Sequence, residues 1–170
     1  MEKEEKNNEY TIKIHKAKVG YVAELFLKEI KDKAINDIDI ILIVDRSGSM
    51  GSSYTKIFKE IIPEFLEKLN YPENKIVHFI TFEDSVEYRQ LTKENFLNPK
   101  KEEALGCTYM AGVFKELEKI MTIPNSSYRI ITFSDGDIFD NKKTSNNASI
   151  FYEKIKGKFN INSQALRFFS

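Results

Sequence analysis

A chain of 170 residues can bury one real hydrophobic core and is too short for two ordinary domains. Lys plus Arg and Asp plus Glu balance at 26 each, so no global field draws the chain to nucleic acid or anionic lipid, and partners must be chosen by a local site. A single cysteine, Cys107, excludes an internal disulfide, Met1-Glu2-Lys3-Glu4-Glu5-Lys6 lacks a signal peptide's apolar core, and no apolar stretch reaches the ~20 residues that span a bilayer; a cytoplasmic chain is expected.

In chain order, the first ten residues are charged and amide-rich and read as a frayed tail. Thr11 to His15 alternates like a strand, and Val22 to Ile30, which fits strand or helix, is read as a second strand. Residues 1–35 are therefore expected to be an extension, and 36–170 the domain. Ile38 to Val44 is a β-branched apolar run ending at Asp45, as buried parallel strands do. Ile57, Ile61, Phe65 and Leu69 repeat at helical spacing, with Pro63 expected to kink the helix. Lys75 to Phe82 reads as a buried strand, and Ser85 to Gln90 as its hairpin partner at the sheet edge.

Gly106-Cys107-Thr108 is expected to open an amphipathic helix through Met110, Val113, Leu117 and Met121. Tyr128 to Phe133 repeats the plan of the first apolar strand and ends at Ser134-Asp135-Gly136-Asp137. Ala148 to Lys156 reads as a helix and Phe159 to Phe169 as a last strand. Alternation of this kind predicts an α/β, Rossmann-like doubly wound fold: a mostly parallel central sheet, helices on both faces, and one short antiparallel edge strand. In open sheets of this type, sites lie beyond the carboxyl ends of the strands, where Asp45 and Asp135 both fall.

Asp45-Arg46-Ser47-Gly48-Ser49 can aim three oxygens at one point, because residues two apart in an extended turn share a side; Gly48 lets the backbone bend, and Arg46 and Met50 point away. D-x-S-x-S alone is weak evidence, arising by chance in about one chain in twenty of this size. Its position directly after the most apolar strand, with Asp135 delivered to the same sheet edge, strengthens it. Capping of the following helix by these side chains is the plainer alternative.

With Thr108 and Ser134-Asp135-Gly136, this motif resembles the metal-ion-dependent adhesion site (MIDAS) of the von Willebrand factor A (VWA) domain family. The resemblance runs from about Ile38 to Ser170 and suggests an intracellular eukaryotic or protist member. It implies a metal site of Asp45, Ser47, Ser49, Thr108 and Asp135 holding Mg²⁺ or Mn²⁺, with Ser47, Ser49 and Thr108 contacting the ion through hydroxyls and the two aspartates acting mostly through water. It also implies a non-enzymatic protein-interaction module whose partner offers an Asp or Glu to the metal. Relatives usually continue through another strand and a closing helix, so the sheet edge or an apolar helix-docking surface is expected to be uncovered, and the chain to be prone to self-association. A metal-dependent hydrolase or phosphatase is the alternative, disfavoured because Ser47 stands where such a phosphatase needs its general acid; a subunit of an ATP-driven or ubiquitin-related complex is another context for the same module. Asp137 reads as a turn residue, Cys107 as a small buried thiol, and His15 and His78 as solvated or core-edge side chains rather than ligands.

Overall fold

The structure, a computed structural model, describes residues 3–6, 10–16, 21–27, 35–97 and 103–167. Five strands form the expected core: β4 (Ile38–Asp45), β5 (Val77–Phe82), β6 (Val86–Leu91), β7 (Ser127–Ser134) and β8 (Asn160–Arg167). They lie in the order β8-β7-β4-β5-β6, parallel except for β6, which returns antiparallel on β5. The chain leaves the central strand β4 to β5 on one side and comes back to β7 on the other, which puts the switch in strand order at the end of β4.

Three further strands, β1 (Lys3–Lys6), β2 (Tyr10–Lys16) and β3 (Tyr21–Leu27), continue the same sheet antiparallel beyond β8, with Val22 opposite Leu166 and Leu25 opposite Ser163. Two expectations are thereby corrected. Part of the tail expected to be frayed is a strand, because Lys3–Lys6 satisfies its main chain against β2, and its Lys/Glu composition suits an edge. The edge of β8 expected to be bare is taken by β3. Of the anticipated segments, Lys28 to Ala34, Lys100-Lys101 and Phe168 to Ser170 lie outside the described residues.

Every residue of β4 from Ile40 to Asp45 is buried, because its two faces meet two separate cores. Ile40, Leu42 and Val44 face Tyr54, Ile57, Phe58, Ile62 and Leu66, while Ile41 and Ile43 face Val113, Leu117, Met121 and Phe151. At roughly 1.5–3 kcal/mol for each fully buried large apolar side chain, these layers fix the strand and whatever it carries at its end. On the first face the helix runs as α1 (Gly51–Lys56), a π-type segment (Ile57–Ile61) and α2 (Ile62–Lys68). The Ile62 N–H reaches back five residues to the Ile57 carbonyl, directly before Pro63, whose ring nitrogen has no hydrogen to continue the ordinary ladder. The short helix α3 (Lys93–Leu97) adds Phe96 to an aromatic trio with Phe58 and Phe79, at centroid separations of 5.4 to 5.5 Å.

The second face is covered by α4 (Val113–Ile120) and α5 (Asn141–Ile155). Helix α4 starts at Val113 and not at Gly106-Cys107-Thr108, which correct to an extended loop. The physical reason is that the loop's donors are taken by distant acceptors: Cys107 N–H by Asp84 Oδ1, Tyr109 N–H by the Glu83 carbonyl, and Met110 and Ala111 N–H by the Asp140 carboxylate. Donors committed to tertiary partners are unavailable to a helical turn.

Candidate metal site

Asp45 ends β4 fully buried, with both carboxylate oxygens engaged: Oδ1 accepts the Ser47 N–H at 2.9 Å and Oδ2 accepts the Ser134 hydroxyl at 2.8 Å. The second bond joins the ends of β4 and β7. Burial pushes the Asp45 carboxyl above its ordinary range, the Ser47 and Ser134 hydrogen bonds offset this only in part, and the charge of Asp135 raises it further. A buried carboxylate sharing its surroundings with a second acid is an arrangement that a cation would relieve.

The hydroxyls of Ser47 and Ser49 lie 3.0 Å apart, Ser47 buried and Ser49 exposed. Neither the 3₁₀ turn Gly48–Met50 nor α1 receives a side-chain cap, so these oxygens are not spent on a helix N-terminus. Arg46 turns away to Glu83 at 2.6 Å and Glu87 at 3.5 Å, and Met50 packs in the first core, as the alternation of the turn predicts. Gly48 needs no special backbone angle; Gly51 carries the positive φ of +44° instead.

The third loop is held by two main-chain bonds, Gly48 N–H to the Gly106 carbonyl at 3.1 Å and Leu105 N–H to the Arg46 carbonyl at 2.9 Å. Gly106 is required here: at φ +77° a Cβ would stand 2.7 Å from the Asp84 carboxylate. Two residues on, Thr108 is buried, its carbonyl accepting the Phe139 N–H at 2.8 Å. Asp135 is half-buried, and its Oδ1 accepts the Asp137 N–H at 3.1 Å, so exposed Asp137 acts as a turn residue. Asp45, Ser47, Ser49, Thr108 and Asp135 thus all stand on three loops joined at one sheet edge.

Their donors are oxygens only, hydroxyls and two carboxylates, which is the set that hard cations such as Mg²⁺ and Mn²⁺ take. Among the described residues no group of three or more His, Cys, Asp or Glu side chains is disposed to hold a metal ion; the candidate set itself has two carboxylates, and its other oxygens are hydroxyls. Cys107 is exposed, correcting the buried thiol expected of it, because Cys107 N–H is fixed on Asp84 at the surface of the hairpin between β5 and β6. His78 is half-buried on β5, with Nδ1 2.8 Å from the Tyr88 hydroxyl, and burial holds its imidazole pKa below the usual value. Two side chains that build the site escape sequence reasoning, Asp84 and Asp140. Ser134 stands in the Ser134-Asp135-Gly136 motif, and its bond to Asp45 is what the structure adds.

No family model matches the sequence, and no curated protein does. Among solved structures, the manganese-loaded TRAP protein of Plasmodium vivax superposes with a TM-score of 0.53 at 18% identity, over 80% of this chain and 60% of that one. A von Willebrand factor type A protein from Catenulispora acidiphila gives a TM-score of 0.52 at 16% identity, over 84% of this chain and 35% of that one. The chain has the VWA fold. It spans less than two thirds of either neighbour, and the likeness is one of architecture: a central parallel sheet covered by helices on both faces. No helix among the described residues is long and apolar enough to cross a membrane.

Proposed function

We propose that this VWA-fold chain is a divalent-metal-dependent protein-interaction module, in which Asp45, Ser47, Ser49, Thr108 and Asp135 hold Mg²⁺ or Mn²⁺ and an Asp or Glu of a partner protein completes the site. The observation that carries this reading is the joining of three loops around Asp45, with the paired Ser47 and Ser49 hydroxyls left free of capping duty. Manganese in the TRAP structure is a property of that protein and is consistent with the same chemistry here. A bound ion would supply a positive centre able to accept a carboxylate oxygen. The chain's own contribution is to fix the oxygens: β4 and β7 are rigid between two cores, and the Asp45–Ser134 bond locks their ends together. Binding is favoured over hydrolysis because Ser47, a hydroxyl already paired with Ser49, stands where a general acid would be required.

The test is thermal unfolding with Mg²⁺, with Mn²⁺ and with chelator, for the natural chain and for Asp45→Asn. A ligand bound only by the native state raises its stability by RT ln(1 + [L]/Kd), about 2.7 kcal/mol at a hundredfold excess over Kd. The natural chain should gain stability from metal. Asp45→Asn should fold, since an amide keeps an acceptor and relieves a buried charge, yet should lose that gain. Equal melting of the natural chain in metal and chelator overturns the reading.

A further inference from the structure

Three large apolar side chains stand exposed on the loops that carry the candidate metal site: Leu105 at 62%, Tyr109 at 39% and Phe139 at 75%. Scattered exposed apolar residues are ordinary in a folded chain, but neighbours rimmed by polar groups mark a surface that meets a partner. Tyr109 and Phe139 are such neighbours, their ring centroids 5.9 Å apart and their planes inclined at 50°. Each of the three residues is tied to the site through the main chain. Leu105 N–H donates to the Arg46 carbonyl, Tyr109 follows Thr108 and donates to the Glu83 carbonyl, and Phe139 N–H donates to the Thr108 carbonyl. The main chain that carries the ring pair therefore brackets Thr108 from two loops and is already hydrogen-bonded in the free chain, which lowers the ordering cost of binding.

The described residues that flank the rings in the chain carry both signs: Asp84, Asp135 and Asp137 stand on the loops, and exposed Lys142 and Lys143 follow Phe139 at the start of α5. Charge therefore does not select what lies on the rings, whereas an aromatic or large aliphatic side chain would cover them. Resting on the metal-dependent reading above, we infer that the partner segment carries one Asp or Glu for the metal beside a large apolar residue that seats on Tyr109 and Phe139. Tyr109 and Phe139 are then the specificity-determining residues, and the five oxygen-bearing residues supply the metal-dependent grip.

The experiment is selection of a random displayed peptide library on the full chain loaded with Mn²⁺, beside the double variant Tyr109→Ser/Phe139→Ser, with Mn²⁺ binding read separately by loss of the free-ion paramagnetic resonance signal. The natural chain should enrich peptides pairing one acid with a neighbouring aromatic or aliphatic residue, and a selected peptide should weaken about tenfold when that apolar residue becomes Ala. The double variant should bind Mn²⁺ undiminished and still enrich acids, but lose the apolar preference. Enrichment of acids without apolar neighbours, or an unchanged preference in the variant, overturns the ledge and leaves the metal reading standing. Failure of the natural chain to bind Mn²⁺ overturns the metal reading, and with it the requirement for the acid. Failure to enrich any peptide while Mn²⁺ is bound overturns the ledge as a peptide site.

Discussion

Asp140 shows how a residue outside the oxygen set governs it. Its carboxylate accepts the Met110 N–H at 3.0 Å, the Ala111 N–H at 3.1 Å and the Thr144 hydroxyl at 2.8 Å, tying the loop after Thr108 to the start of α5. Hydrogen bonds to a charged acceptor contribute about 1.5–3 kcal/mol each, and losing the acceptor strands the donors. Asp140→Ala should therefore cost about 1–3 kcal/mol in denaturant unfolding, and weaken Mn²⁺ binding by loosening Thr108's loop; unchanged unfolding would sink this assignment. Burial by itself would raise the Asp140 carboxyl, but the bonds from Thr144, Met110 and Ala111 together hold it below the ordinary carboxylate value of 3.8. A carboxyl depressed by folding adds stability above its unfolded pKa and loses that share as pH falls through the folded one. Acid unfolding should accordingly be less pH-dependent in Asp140→Asn than in the natural chain. None of this was legible in the sequence, because the partners lie 29 and 30 residues away and an Asp before a helix reads as an ordinary cap. The local spacing of Asp45, Ser47 and Ser49 was legible, since a tight turn needs only neighbours to define it.

Among the elements, strands buried on both faces were readable because β-branched runs such as Ile38 to Val44 have few other places to go. The start of α4 was not, since apolar periodicity from Met110 onward says nothing of donors already taken by Asp84, Glu83 and Asp140. A comparable long-range tie holds the start of β4. Lys75 Nζ donates to the Asn36 and Ile38 carbonyls at 2.7 Å each, lies 3.4 Å from Asp39 and sits 5.5 Å from the Tyr71 ring centre. This one ammonium satisfies carbonyls of the turn Ile35–Asp37 and of β4 itself. Lys75→Met keeps the apolar stem and removes the donors, so unfolding free energy should fall by about 1–3 kcal/mol. Because Lys75 lies at the opposite end of β4 from Asp45, Mn²⁺ affinity should stay unchanged in the same variant. A fall in affinity matching that of Asp140→Ala would show that the two ends of the strand are coupled.

At the scale of the molecule, the placement of β1 to β3 decides how the sheet ends. Alternation in Thr11 to His15 revealed strands but not their neighbour, since register between distant strands depends on which edge is open once the rest has folded. Here β3 lies antiparallel along β8 through Val22 to Leu25, and no residue of the candidate metal site lies on the three N-terminal strands. Removing Met1 to Ala34 should therefore leave Asp45, Ser47, Ser49, Thr108 and Asp135 in place, and Mn²⁺ affinity within about threefold of the full chain's, under 1 kcal/mol. It should also strip the outer edge of β8, exposing a row of unpaired main-chain donors and acceptors that templates pairing with a second chain. Sedimentation velocity over a range of concentrations should then show self-association in the shortened chain and not in the full one. Retained monomer would mean that β8 is protected in another way, and loss of Mn²⁺ binding would mean that the N-terminal strands hold the metal-site edge in shape through β8 and β7.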